Sequence, residues 1–251
     1  AGMSMGGLVV RYALARMERA GQDHGTRAYL SWDTPQRGAY TSLAAQWFAQ
    51  AFRRAHPQIE LLAQLLDSPA NQQLMTHWLH AGQVIESPLR RAWNDDLAQL
   101  GGYPQQLQRW AIASGRGDGV RSEPPHLLAL DCPGDAAFAV RLWTLGERFQ
   151  RVRIGEGRYR GEVCAVLDHA SAWSWESVPG GVGRYLETVA QCVQALGHDG
   201  VQVRSVTSCA VPTVSALDLD LDPFAPIPEP GRVASPFHDY RYETDNHRHL
   251  Y

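Results

Sequence analysis

Gly2-Met3-Ser4-Met5-Gly6-Gly7-Leu8-Val9-Val10-Arg11-Tyr12-Ala13 lies at the start of the chain, a serine flanked two residues away on each side by glycine and followed at once by an apolar run. The pattern is that of a nucleophile elbow, in which a sharp turn between a strand and a helix holds a serine in a strained backbone conformation and lifts its hydroxyl above the sheet. Gly2 and Gly6 are expected to let strand and helix approach closely, and the Met5 N–H is expected to face the charge of a tetrahedral intermediate. Leu8, Val9, Tyr12, Ala13 and Met17 recur at helical spacing, Arg11, Glu18 and Arg19 fall on the other side, and Gly21 supplies a stop. The strand that should precede Gly2 is not present in the sequence, so the reading expects an N-terminally truncated domain.

Downstream, residues 27–32 (RAYLSW) read as a short buried strand entering the loop Asp33-Thr34-Pro35-Gln36-Arg37-Gly38-Ala39. From about 41 to 100 the spacing is helical, through Leu43, Ala44, Trp47, Phe48 and Ala51, then Ile59, Leu61, Leu62, Leu65 and Leu66, then Leu74, Met75, Trp78 and Leu79, which predicts a helical cap. Trp47, Phe48, Trp78 and Trp93 could line an acyl-accepting cleft or, as aromatic residues at helical spacing usually do, fill a core. Residues 108–114 (QRWAIAS) read as a strand that empties into the glycine-rich turn around Asp118, and residues from about 137 to 166 read as inserted β-hairpins. A helix is expected over 182–196, a strand-like run over 208–219, and then a proline-rich loop running to Asp245-Asn246-His247-Arg248-His249. The expected architecture is one α/β domain over 1–251, a mostly parallel sheet with a helical cap and a β-hairpin insertion.

Composition narrows the function. A net charge of -3 offers no basic field for nucleic acid, and no apolar run approaches the ~20 residues of a bilayer span. All 23 cationic side chains are arginine, which excludes a lysine Schiff base or a Ser–Lys dyad within these residues. Cys132, Cys164, Cys192 and Cys209 are too widely spaced for a zinc knuckle or a CxxC redox pair, so neither a metal nor a cofactor is expected, and one or two disulfides remain open. The compartment is left open as well, with a secreted or periplasmic one ahead of a cytoplasmic one.

A serine hydroxyl is a poor nucleophile at neutral pH, so Ser4 needs a histidine within hydrogen-bond reach and a carboxylate to orient it. His249 is the favoured base, with His247 and then His238 behind it; Asp118 is the first choice of acid, Asp33 the second and Asp218 the third. Asp33 ends the strand that follows the elbow helix, a place where an acid can stand, although Thr34 and Pro35 suggest a turn-capping role. The chain order serine, aspartate, histidine is the order of α/β-hydrolases.

Taken together, GMSMGGLVVRYA, SWDTPQRGA and AVPTVSALDLD followed by NHRH resemble the serine-esterase and lipase branch of the α/β-hydrolase superfamily, and are similar to the hydrolase domain of GPI inositol-deacylases. The resemblance covers most of residues 1–40 and 208–251 and implies Ser4 as nucleophile, the Met5 N–H in the oxyanion hole, His249 as base and Asp118 as acid. Relatives carry an acid just before a V-P-x-x-S-A-L stretch, where this chain has Ser208, Cys209 and Ala210. The implied activity is cleavage of a small-molecule or lipid ester through an acyl-enzyme. The alternatives are a non-catalytic binding protein on the same scaffold, or an acyltransferase or amidase using the same triad.

Overall fold

The structure, a computed structural model, describes residues 1–147, 151–170, 174–205 and 208–243. In chain order the elements are β1 (Gly2–Met3), α1 (Met5–Arg19), β2 (Ala28–Trp32), α2 (Leu43–Ala51), α3 (Pro57–Leu66), α4 (Pro69–Leu74), β3 (Trp78–His80), β4 (Gln83–Ile85), α5 (Pro88–Gln99), β5 (Gln108–Arg116), β6 (Leu128–Cys132), β7 (Phe138–Trp143), β8 (Arg151–Tyr159), β9 (Glu162–Ala170), β10 (Gly180–Gly183), α6 (Tyr185–Ala195), β11 (Gln202–Val203), β12 (Ser208–Pro212), α7 (Thr213–Ala216) and β13 (Asp239–Glu243).

Four strands form a parallel sheet in the order β1-β2-β5-β13, with Met3 opposite Trp32, Trp32 opposite Ile112 and Glu243 opposite Arg116. Period-2 alternation gives this sheet a buried face of Tyr29, Ser31, Ala111, Ala113 and Tyr240, packed with Leu14, Val214, Leu217 and Phe237. Met3, Trp32 and Trp110 stand out of it. The buried stripe of α1 is Gly7, Leu8, Arg11, Leu14 and Ala15, one step round from the expected one: Val9 is 58% exposed and Arg11 only 7%. Arg11 is inside because acceptors await it there. Its Nε donates to the Gly102 carbonyl at 2.6 Å, its Nη1 donates to Gln36 Oε1 at 2.7 Å, and its guanidinium lies 3.5 Å from the centre of the Tyr103 ring.

The segments inserted between β2 and β5 and between β5 and β13 share one core. Trp47, Phe48 and Phe52 of the α2 region meet Phe138, Val140, Leu142 and Ile154 of an antiparallel sheet ordered β11-β6-β7-β8-β9, with Trp175, Leu186, Val189 and Val193 closing the cluster. Gly155 makes the joint possible, since a Cβ there would lie 2.3 Å from the Trp47 ring. The outer face of this sheet is crossed by a chain of ion pairs, Asp131 with Arg141 and Arg141 with Glu156 between strands, Glu156 with Arg153 along β8, and Arg153 with Asp168 across to β9.

Several expectations are corrected. Trp78 and Leu79 belong to the β3–β4 hairpin and not to a helix, because Ala81 and Gly82 both take positive φ, 48° and 77°, and turn the chain back in two residues. Trp47 and Phe48 are 5% and 0% exposed and belong to the core, Trp78 is 9% exposed and borders a surface pocket with Arg53, Asp67 and His80, and Trp93 stacks on Tyr12 with centroids 5.1 Å apart. The β insertion begins earlier than residue 137 and runs past 166, since β6 and the end of β9 belong to it, and Val182 lies in β10 and not in the following helix. The run from 208 divides into β12 and α7. β13, read in the sequence as loop, completes the parallel sheet.

Candidate functional site at the carboxyl edge of the parallel sheet

Because β1, β2, β5 and β13 are parallel, their carboxyl ends gather along one edge: Ser4 after β1, Asp33 after β2, Gly117 and Asp118 after β5, and Glu243 at the end of β13. Crevices at such carboxyl ends are where open α/β sheets bind ligands.

Ser4 has φ 50° and ψ -133°, a combination that costs a non-glycine residue about 1–3 kcal/mol. Bonds on both sides hold it there: its N–H donates to the Trp32 carbonyl at 2.9 Å, and its carbonyl accepts from the Gly7 N–H at 3.0 Å. The hydroxyl-bearing residue is exposed, and Met5 opens the 15-residue helix α1, so the Met5 N–H belongs to the first-turn donors that have no partner within the helix and carry its positive dipole end. The glycine requirement falls differently from the expectation. A Cβ on Gly2 would lie 2.5 Å from the Gly7 Cα, and one on Gly7 would lie 1.9 Å from Thr34 Oγ1, whereas one on Gly6 would meet nothing within 4 Å. The close approach is thus made by Gly2 and Gly7, with the loop after β2 plugged against the second of them.

That loop is fixed from behind by a buried polar network. Tyr29 Oη donates to the Gly7 carbonyl at 2.8 Å, and Gln36 Nε2 donates to Tyr29 Oη and to Ser31 Oγ. Ser215 Oγ donates to the Gly38 carbonyl at 2.7 Å and accepts from the Arg37 N–H, so the VPTVSAL stretch buttresses the DTPQRG stretch. Sequence reasoning missed Gly7, Thr34, Gln36 and Ser215 as parts of the site's support. The paired glycine of the elbow was the available signal for the first.

The three candidate acids differ in what engages them. Asp118 Oδ2 accepts from both Nε and Nη2 of Arg116, and its Oδ1 accepts from the Val120 N–H at 3.0 Å. Asp218 Oδ2 accepts from Tyr103 Oη at 2.6 Å, and its carboxylate pairs with Arg11 and Arg37, so it serves the network behind the sheet. Asp33, half-buried and at φ 47°, donates its N–H to the Ile112 carbonyl at 2.7 Å and accepts at Oδ1 from the Ser114 N–H at 3.1 Å. A Cβ on Gly181 would lie 2.6 Å from Asp33 Oδ2, so the β10 backbone comes down directly on this carboxylate. Burial pushes the Cys209 thiol well above its usual range, and the Asp33 charge adds to that push.

His238 is corrected as a base. It precedes β13, donating its N–H to the Arg109 carbonyl at 2.8 Å near the start of β5 and accepting the Arg109 N–H at Nδ1, 3.0 Å away, which puts it at the end of the sheet opposite Ser4. His247 and His249 lie outside the described residues. Among the described residues no cluster of three or more His, Cys, Asp or Glu side chains could hold a metal ion, and no helix is long and apolar enough to cross a membrane. Cys132, Cys192 and Cys209 are unpaired and buried.

No family model matches the chain, no curated protein is similar to it, and no solved structure matches it.

Proposed function

We infer that this protein is a serine hydrolase of carboxylic esters, of the esterase and lipase kind within the α/β-hydrolases, working through an acyl-enzyme on Ser4. The observation that carries the reading is the backbone of Ser4: an exposed serine in a strained conformation, between the carboxyl end of a parallel strand and the amino end of a helix, held there by hydrogen bonds on both sides. Strain of this kind in a residue with no packing role is a cost that a reactive hydroxyl explains.

In this reading His249 takes the Ser4 proton as Oγ attacks the ester carbonyl. The Met5 N–H stabilises the oxyanion, the histidine returns the proton to the leaving alkoxide, and water repeats the cycle to release the acid. A carboxylate of the edge, Asp118 or Asp33, orients the imidazole. No metal or cofactor enters the cycle. The substrate is a small-molecule or lipid ester; Trp47 and Phe48, buried in the core, supply no wall for an acyl-accepting cleft.

One observation favours a second reading, a binding protein that has lost its acid: Asp118 is engaged by Arg116 and by the Val120 N–H. Labelling by a fluorophosphonate probe separates the two, because only an activated serine reacts. The test of the main reading is turnover of p-nitrophenyl esters. Ser4→Ala is expected to reduce kcat by several powers of ten, and turnover unchanged in that variant refutes the assignment.

A further inference from the structure

We propose that the surface cavity between α2, the α3–α4 junction and the β3–β4 hairpin binds a neutral saccharide, with a pyranose ring laid on the open face of His80. The cavity holds about 420 Å³, at the small end of the range for small-molecule sites. None of its lining residues lies at the carboxyl edge of the parallel sheet, so the inference does not rest on the Ser4 reading.

The hairpin supplies the platform. His80 is exposed, and its ring stacks on Trp78 with centroids 4.4 Å apart and planes 28° from parallel, so the indole backs one face and the other is left to the cavity. Trp78 is pinned in turn, because its Nε1–H donates to Asp67 Oδ1 at 3.3 Å. The turn Ala81-Gly82, with both residues at positive φ, fixes the strand end that carries His80 opposite Gln83. A ring held in this way loses little freedom when a ligand stacks on it, and its electron-rich face attracts the C–H bonds of a sugar's apolar side.

The polar walls are planar side chains already tied down. Asp67 Oδ2 accepts from Arg53 Nη1 at 3.4 Å, and Arg53 is locked from its other side by Glu60, which accepts from Nε at 2.9 Å and from Nη2 at 3.0 Å. Gln72 Nε2 donates to the Asp67 carbonyl at 2.8 Å, and Gln50 Nε2 donates to the Leu79 carbonyl. These bonds leave Gln50 Oε1 and both ring nitrogens of His80 with no hydrogen-bond partner among the described residues, and Asp67 with lone pairs to spare. Acceptors and donors thus stand together beside an aromatic face, and a hydroxyl, which both donates and accepts, satisfies either kind.

Charge and polarity decide the class of ligand. Arg53 is the one guanidinium lining the cavity, and two carboxylates, Glu60 and Asp67, already pair with it. A phosphate or carboxylate would have to displace one of them and then face the other. An apolar ligand would cover Asp67 and Gln50 Oε1 without giving them a donor. A ring of hydroxyls does neither. A free sugar and the end of a longer glycan offer this same chemistry.

The experiment follows the Trp78 indole N–H, assigned through Trp78→Phe, in proton–nitrogen correlation spectra of the full chain as ligand is added. The probes are the methyl glycosides of glucose, galactose, mannose and N-acetylglucosamine, the corresponding linear trisaccharides, sorbitol and inorganic phosphate. At least one saccharide is expected to move the signal saturably, with a Kd on the order of 1 mM for a glycoside in so small and open a site. A trisaccharide that binds tighter than its glycoside supports the proposal and identifies the end of a longer glycan as the source; equal binding supports it with a free sugar as the source. Sorbitol, which carries hydroxyls without a ring to stack, and phosphate should leave the signal in place. His80→Ala is expected to weaken glycoside binding about tenfold or more, and His80→Phe, which keeps the ring, only a few-fold. Asp67→Asn should cost about tenfold, through the lost charge on its hydrogen bonds. Thermal melts report folding, and if Asp67→Asn does not fold, the two variants at the exposed His80 decide. Glycoside affinity unchanged in His80→Ala, sorbitol or phosphate binding as tightly as the best glycoside, or no saturable shift with any saccharide of the set overturns the proposal.

Discussion

Behind the parallel sheet, the side chains of Arg11, Gln36, Tyr29, Ser31, Tyr103 and Asp218 are joined to one another by hydrogen bonds or close charged contacts. In the inserted unit the equivalent depth is filled by Trp47, Phe48, Phe52, Phe138, Ile154 and Trp175, with rings edge-on or stacked at 5.0–6.0 Å among the first four. Directional bonds specify one arrangement, since each unmade bond leaves a buried group unsatisfied, whereas apolar packing tolerates local readjustment. The polar network lies where a loop has to be fixed against the elbow to a fraction of an ångström. The apolar core lies where two insertions from different parts of the chain have only to adhere.

If the two cores are separate units, damage to one should leave the other intact. Trp47→Ala removes the ring that lies on Gly155 and is expected to cost about 3–5 kcal/mol in the inserted unit. Native-state hydrogen exchange should then show β7 and β8 amides losing protection while those of β2 and β5 keep theirs. An equal loss in both sets would mean that the chain unfolds as one block and that the division into a specifying region and an adhering region has no energetic counterpart.

How far this organisation could be read in the sequence differs between the same two regions. The elbow, its helix, the strands at β2 and β5 and the loop at Asp33 were legible because each carries a local signal: glycine spacing, apolar periodicity, a Pro/Gly break. The burial of Arg11 was not, since a charged side chain on a helix reads as a solvated face until the acceptors Gly102 and Gln36, distant in sequence, are in place. β13 went unread although Asp239-Tyr240-Arg241-Tyr242-Glu243 alternates, because the preceding prolines and glycine suggested loop throughout. The Trp78 segment went the other way, having apolar spacing that suits a helix and a turn at Ala81-Gly82 that only the backbone reveals. For the candidate acids, sequence gave three aspartates at plausible places. What distinguishes them is who their neighbours are, a property of the fold and not of spacing.

A smaller effect is expected at the joint between elbow and loop, on the polar side. Gly7→Ala puts a Cβ where Thr34 Oγ1 stands, 1.9 Å away, and is expected to cost about 1–3 kcal/mol by overpacking the joint between elbow and loop. Gly6→Ala, at an open position of the same helix turn, should be neutral or stabilising by up to ~1 kcal/mol, the helix propensity difference. Urea midpoints of the two variants give the contrast. Adding Thr34→Ala to Gly7→Ala should recover part of the loss, and failure to recover any would place the strain elsewhere than at this contact.

The smallest expected effect concerns Glu176, a carboxylate sunk in the apolar side. Glu176 is 3% exposed, and it accepts at Oε1 from the Leu43 N–H at 3.0 Å and at Oε2 from the Leu145 N–H at 2.9 Å, so it staples the start of α2 to the loop after β7. Burial raises its carboxyl above the usual range, against the opposing pull of the Leu145 N–H, the Ser42 hydroxyl and the Leu43 N–H, and no charged group lies among the causes. A folded pKa above the unfolded one, about 4.3 for glutamate, means the folded state holds the extra proton between the two values. Its contribution to stability is therefore full below the unfolded value and is lost as pH rises through the folded one. Carboxylates held low, such as Asp135 by the Phe138 and Ala137 N–H groups, act in the opposite sense and mask this in the wild type alone. The readable quantity is the difference between wild type and Glu176→Gln, in which the amide mimics the protonated acid. That difference should shift against the wild type as pH rises above about 4.3 and level off beyond the folded pKa. A difference that does not change with pH would mean that the two N–H donors compensate the buried charge fully, and that a single polar staple can sit in the apolar core as comfortably as the whole network sits behind the elbow.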